Sequence, residues 1–409
     1  MPIDTRSTSA LSAEPVSPDL SRALRSLIAA ADRLRHGRLT LVLPNGQAMT
    51  FAGSEDGPHG HMTLNSDRVA RRLLFGGDIG LAESYIEGDW DSPDLTSLLS
   101  LATLNEAALQ ETLAGSLLSR VVNRLWHLVR PNSRSGSRRN ISAHYDLGNA
   151  FYRQWLDETM SYSAACFTPD TATLADAQRE KYRRLARMLE LKPGQRVLEI
   201  GCGWGGFAEI AAQDFGCRVT GLTLSTEQHA YATERMARSG LSGQVEIALR
   251  DYRDETGTYD AIASIEMFEA VGEKYWPTYF DSLQAHLRPG GKAALQVITI
   301  DDHRFQSYRK GCDFIQRYVF PGGLLPSPEA LRQAATDGGF RITAEQFFGL
   351  DYALTLKAWA ESFEQAWPVI ATQGYDGRFK RLWRYYLAYC EAGFRAGTID
   401  VGHFLLERP

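Results

Sequence analysis

One acid and four glycines stand close together in the stretch "VLEIGCGWGGFAEIAA", residues 197–212. Glu199 and Ile200 come first, and Gly201, Gly203, Gly205 and Gly206 follow. A backbone this bare lets a ligand lie directly against the main chain, because glycine has no side chain to intervene. A helix starting at the same point adds unpaired N–H groups. Glu199 suits either of two tasks: orienting the loop, or receiving an ammonium group of the ligand. The spacing E-x-G-x-G-x-G is not the G-x-G-x-x-G of dinucleotide-binding folds. On its own the motif leaves three readings open: S-adenosylmethionine, a nucleotide cofactor, or a structural turn.

The elements around this turn narrow the choice. "QRVLEI", "CRVTGLT", "YDAIASIE" and "KAALQVITI" are apolar runs of strand length. Amphipathic segments such as "GFAEIAAQDF" and "TEQHAYATERMARSG" separate them. Strands alternating with helices predict a mostly parallel sheet covered by helices, with ligands beyond the carboxyl ends of the strands. A dinucleotide fold would carry an acid at the end of the second strand to hold ribose hydroxyls. That strand ends "GLTLSTEQ", which offers Thr223 and Gln228 but no acid at the expected place. Two aromatic helices, "LTLKAWAESFEQAW" and "GRFKRLWRYYLAYCEAGFRAG", follow near the end.

The 409-residue chain is long for one core, and its composition suits a globular enzyme. A net charge of −5 argues against a general nucleic-acid binder. The five cysteines are scattered and show no zinc spacing, so buried thiols in a reducing cytoplasm are expected and no metal site is. Residues 1–20 lack the apolar core of a secretory signal and read as a flexible terminus. No apolar run approaches the ~20 residues that span a bilayer. "GRLTLVLPNGQAMTFAG" alternates apolar and polar residues around Asn45-Gly46, a hairpin signal. With the helical stretches that follow, it predicts a small α+β domain over residues 21–130. Residues 131–140, within "RPNSRSGSRRN", read as a linker. Residues 120–139 hold six arginines and no acid, just beside an apolar face at Val121, Leu125, Trp126 and Val129. Two readings stay open there: a basic element at an anionic membrane, or a packed helix with a solvated loop.

Taken together, several ordered stretches resemble the cyclopropane-fatty-acyl-phospholipid synthase family. They are "AHYDLGNAFYRQWLDETMSYSAACF", "VLEIGCGWGG", "GLTLSTEQ", "RDYRD", "SIEMFEAVGEKYW", "RYVFPGG" and "FGLDYALTLKAW". The likeness runs from about residue 141 to the end, the span of a catalytic domain at 141–409. "GGDIGLAESYIEGDWDSPDL" is similar to the N-terminal domain of the phospholipid-acting members, which implies a lipid- or partner-facing role. The resemblance implies a Rossmann-like α/β fold and methyl transfer from S-adenosylmethionine to a cis double bond of a phospholipid acyl chain. It implies a peripheral, cytoplasmic enzyme and leaves a homodimer open. It places Tyr162 and Ser163 near the methionine moiety, with Gly201 and Gly203 beneath the cofactor. Thr223 and Gln228 fall to the ribose, and Asp251 and Tyr252 to the adenine.

The same resemblance implies a bound bicarbonate as proton acceptor. Of its cage, Glu269, Ile298 and Tyr352 are kept. Ala164 stands where the family has Cys, Gln296 stands where it has a strand His, and Ala270 replaces the His after the Glu. Gln296 can donate a hydrogen bond but cannot shuttle a proton. Glu269 in a dry pocket would have a raised pKa and could take the proton itself. A weakened cage predicts either of two outcomes, ring closure or proton loss from a neighbouring chain carbon. The latter gives methyl-branched or methylene chains of the furan-lipid-precursor kind. A rival of another class is a non-catalytic lipid- or cofactor-binding homologue.

Overall fold

A computed structural model describes residues 21–113 and 147–409. The expectations for residues 1–20, the basic stretch 120–139 and the linker 131–140 lie outside the described residues.

The first unit starts with α1 (Arg22–Ala31), capped by Ser21, whose Oγ accepts from Leu24 N. Strands β1 (His36–Val42) and β2 (Ala48–Ala52) form the antiparallel hairpin around Asn45-Gly46. Gly46 takes a φ of 84°, which a β-carbon would disfavour, and Asn45 Oδ1 accepts from Gln47 N. Strand β3 (Glu55–Leu64) then runs parallel to β1, and β4 (Trp90–Asp91) closes a sheet of order β2-β1-β3-β4. Helices α2 (Arg68–Ile86) and α3 (Leu95–Leu104) belong to the same unit, and a further helix spans Glu106–Leu113.

In the second unit a short helix, α4 (Gly148–Tyr152), precedes α5 (Leu174–Met188), which begins in a Thr173/Asp176 capping box. The sheet comprises β5 (Arg196–Ile200), β6 (Arg218–Thr223), β7 (Val245–Leu249), β8 (Tyr259–Ile265), β9 (Leu287–Ile300), β10 (Arg341–Phe347) and β11 (Ile399–Glu407). Its order is β10-β11-β9-β8-β5-β6-β7. The pairs among β5–β9 are parallel, and β11 runs antiparallel to both β9 and β10. Helices α6 (Gly206–Gln213), α7 (Thr226–Arg238) and α8 (Trp276–His286) cover it. Two apolar clusters, around Phe207 and Val219 and around Tyr279 and Leu295, bury the sheet. This is the mostly parallel, helix-covered sheet that the strand–helix alternation predicts, and the Rossmann-like fold that the resemblance implies.

The aromatic helices α9 (Gly349–Thr372) and α10 (Gly377–Arg395) tie the two units together. One apolar cluster joins Leu41, Trp90 and Leu98 of the first unit to Trp359, Phe363, Trp383 and Tyr385 of these helices. Arg381 crosses the boundary. It donates to the carbonyl of Trp90 at 2.6 Å and to Asp91 at 2.8 Å, and it stacks 4.0 Å over the Tyr85 ring.

Candidate active site

At the carboxyl end of β5 the chain turns on three left-handed glycines: Gly201, Gly203 and Gly205, with φ of 82°, 52° and 83°. A β-carbon on Gly203 would meet nothing within 4 Å, so this backbone faces open space. Glu199 is buried, and its Oε2 has no hydrogen-bond partner. Burial holds its pKa well above the usual carboxylate range. An orphaned acid beside open glycine backbone fits a ligand that brings an ammonium group.

The cleft over this turn, about 170 Å³, is lined by Tyr162, Ser163, Glu199, Gly201, Gly203, Thr223, Gln228 and Tyr252, all expected from sequence. Thr223 Oγ1 donates to Gln228 Oε1 at 2.8 Å, which fixes the pair in place of the missing acid. Tyr162 packs against Tyr152 and Trp359 and shares a 2.8 Å hydrogen bond with Tyr386. Asp251, expected beside the adenine, sits between Arg250 and Tyr252 of the cleft wall. It is absent from the cleft lining, and its carboxylate is gripped by Arg253 Nε and Nη2 at 2.8 and 2.6 Å. Arg250 and Met267 are on the wall although sequence reasoning did not select them. A larger groove of about 520 Å³ opens near Arg196, Arg218 and Gln244, at the amino ends of the strands. The carboxyl ends carry the glycine turn, so the smaller cleft is the site.

The expected proton-accepting cage is built differently from the sequence reading. Glu269 Oε1 accepts from Ile298 N at 2.5 Å, as the kept positions suggest, and its buried Oε2 has no partner. The other donors converge on Glu266, a residue the sequence reading passed over. Its Oε1 accepts from Ala164 N at 2.8 Å and from Gln296 Nε2 at 2.7 Å. Its Oε2 accepts from Tyr352 OH at 2.8 Å. A protein carboxylate thus takes the hydrogen bonds that a small anion such as bicarbonate would need. The available signal was an acid directly after β8, beside the glycine turn. Glu266 sits at a φ of 48°, left-handed and unusual for a residue with a side chain.

The pair divides its charge unequally. Burial raises both acids, and the Lys181 ammonium and then three hydrogen-bond donors favour the ionised form of Glu266. Burial first, and then the charge of Glu266, push Glu269 up to about 8. Behind them His403, the cross-strand partner of Gln296, lies 2.8 Å from Gln296 Oε1 through Nε2. Gln296 Nε2 also reaches Ala164 O at 3.3 Å, so its amide nitrogen is committed and its oxygen must accept. His403 therefore carries its hydrogen on Nε2. Burial lowers its pKa to about 3 and keeps it neutral.

A Rossmann-like sheet with this cleft defines an S-adenosylmethionine-dependent methyltransferase. The family model for mycolic acid cyclopropane synthetase matches residues 132–404, and the chain belongs to that family. A tuberculostearic acid methyltransferase of Mycobacterium tuberculosis is 42% identical over 361 residues, covering 84% of this chain and 82% of that one. The cyclopropane-fatty-acyl-phospholipid synthase of Escherichia coli is 37% identical over 341 residues, covering 83% and 85%. A solved mycolic acid cyclopropane synthase in complex with S-adenosylhomocysteine and CTAB superimposes with a TM-score of 0.62 at 31% identity, covering 66% of this chain and 98% of that one.

Proposed function

We propose that this methyltransferase acts on the double bond of an unsaturated phospholipid acyl chain, and that Glu266 is the proton acceptor. The observation that carries this reading is the Glu266 carboxylate held by Ala164 N, Gln296 Nε2 and Tyr352 OH. Bound S-adenosylmethionine supplies an electrophilic methyl, and the alkene electron pair that takes it leaves a cation on the acyl chain. The protein then has three tasks: to hold the two reactants close, to exclude water, and to receive a proton. Tyr162, on the cleft wall and backed by the buried Trp359 ring, offers a π face to the cation. Glu266, whose ionised form the Lys181 charge and three donors favour, receives the proton beside a Glu269 that keeps its own near neutral pH. The breaking C–H pair becomes either the third ring bond or a new C=C bond. With Glu266 taking up the donors, bicarbonate has no part in this reading.

The position of a fixed acceptor selects which carbon loses its proton, and a difference of about 1.4 kcal/mol shifts the partition tenfold. We favour loss from a chain carbon, giving a methylated alkene, in line with the relative named tuberculostearic acid methyltransferase. The relative named cyclopropane-fatty-acyl-phospholipid synthase supports ring closure as the second reading. Proton NMR of lipids from cells expressing the chain separates them, since cyclopropane methylene protons resonate far upfield. A sole cyclopropane product defeats the first reading. Glu266→Gln is expected to lower kcat about 100-fold while S-adenosylhomocysteine still binds. Wild-type turnover in that variant removes Glu266 from the reaction.

No helix among the described residues is long and apolar enough to cross a membrane. We therefore propose reversible surface binding through the basic stretch 120–139. Liposome flotation should weaken with salt, and equal binding to neutral and anionic vesicles at every salt concentration would refute it.

A further inference from the structure

Lys181 on α5 is wholly buried, and its charge favours the ionised form of Glu266. Its Nζ donates to Ser163 Oγ at 2.6 Å. An ammonium only donates, so Ser163 must accept from it, and the serine hydrogen is left to donate elsewhere. Ser163 lies on the wall of the cofactor cleft.

The neighbours of Lys181 on the helix strengthen the arrangement. Gln178 Nε2 donates to the carbonyl of Ser163 at 2.9 Å. Tyr182 OH pairs with Ser161 Oγ at 2.7 Å, Ser161 with Thr159 at 2.8 Å, and Thr159 donates to Asp157 at 2.6 Å. Positions 178, 181 and 182 follow i, i+3, i+4 and share one helix face, which therefore grips residues 157–163. Met160, inside that segment, is held at a left-handed φ of 52°.

Charge explains why a lysine is kept there. Glu199 and Glu266 line the same cleft. The amino-acid end of S-adenosylmethionine carries an ammonium, which two acids favour, and a carboxylate, which they repel. That carboxylate needs a donor backed by positive charge. Burial drives the Lys181 ammonium down to about 8, and Glu266 is the largest influence opposing the loss of its proton.

We propose that Lys181 is a positioning residue for the cofactor: it locks the Ser163 hydroxyl as a donor toward the cofactor's carboxylate and supplies the positive potential at that spot. The proposal rests on cofactor dependence and stands whether or not Glu266 is the proton acceptor.

The test is calorimetric binding of two probes, S-adenosylhomocysteine and 5′-methylthioadenosine, which lacks the amino-acid end. In Lys181→Met the ratio of the two affinities should fall about tenfold, through weaker S-adenosylhomocysteine binding alone. An unchanged ratio, or an equal loss for both probes as a purely structural role would give, overturns the proposal. Ser163→Ala should lower the ratio similarly, and it decides the matter by the same criteria if Lys181→Met does not fold. Where both single variants fold, the double variant should lose no more than Lys181→Met alone.

Discussion

Glu266 and Glu269 share a buried site that favours one negative charge over two. Three donors anchor the first, while the second has a single backbone N–H and a bare oxygen. This asymmetry has a thermodynamic signature. Glu269 rises from 4.5 to about 8 on folding. Between those values the folded protein holds a proton that the unfolded chain releases, so the group's contribution to stability falls as pH rises. Glu269→Gln removes that dependence and can still accept from Ile298 N. The variant should therefore melt higher than wild type at pH 8, and the gain should vanish as pH falls toward 4.5. Thermal denaturation across this range is the measurement; a difference that stays constant with pH would show that Glu269 does not titrate there.

The glycine turn is the element that most directly joins sequence to function. Gly203 faces open space at a φ of 52°, so Gly203→Val pushes a branched side chain into the cleft and strains the backbone. Calorimetry should find S-adenosylhomocysteine binding lost, with the protein still folded by circular dichroism. Unchanged affinity would remove the turn from the cofactor site. This turn and its strands were legible because β5, β6, β8 and the second half of β9 carry mostly apolar residues buried on both faces. The edge strand β10 was not, since "RITAEQF" is largely exposed and lacks clean alternation. Nor was β11, where Gly402 and His403 interrupt the run. In the site, Glu269 and Tyr352 could be read from their motifs. Glu266 could not, because its role depends on a left-handed backbone and on donors from the 164 loop, β9 and α9. The pairing of the Asp251 carboxylate with Arg253 two residues on is local, and no longer-range pattern reveals it.

Across the whole molecule, the two sheets are separate but the apolar cluster between them is shared. Trp90 and Leu98 pack in the same core as Trp359 and Trp383, and Arg381 bridges Asp91 and the Trp90 carbonyl. Such an interface couples the folding of the first unit to that of the second. Arg381→Ala leaves acceptors from the first unit without their donor and should cost about 2–4 kcal/mol in denaturant unfolding. Wild type should unfold in one transition by both tryptophan fluorescence and far-ultraviolet circular dichroism. Two well-separated transitions in wild type would mean that the shared core does not bind the units into one cooperative whole.

The left-handed backbone at Glu266 reaches beyond the enzyme to its gene. A φ of 48° is a conformation that glycine adopts without strain. Two glycine codons, GGA and GGG, become glutamate codons through a single change of their middle base. At this position, then, a chain with a tethered carboxylate and one with bare backbone are neighbours in mutational space. A single base change therefore adds or removes the carboxylate that Ala164 N, Gln296 Nε2 and Tyr352 OH hold.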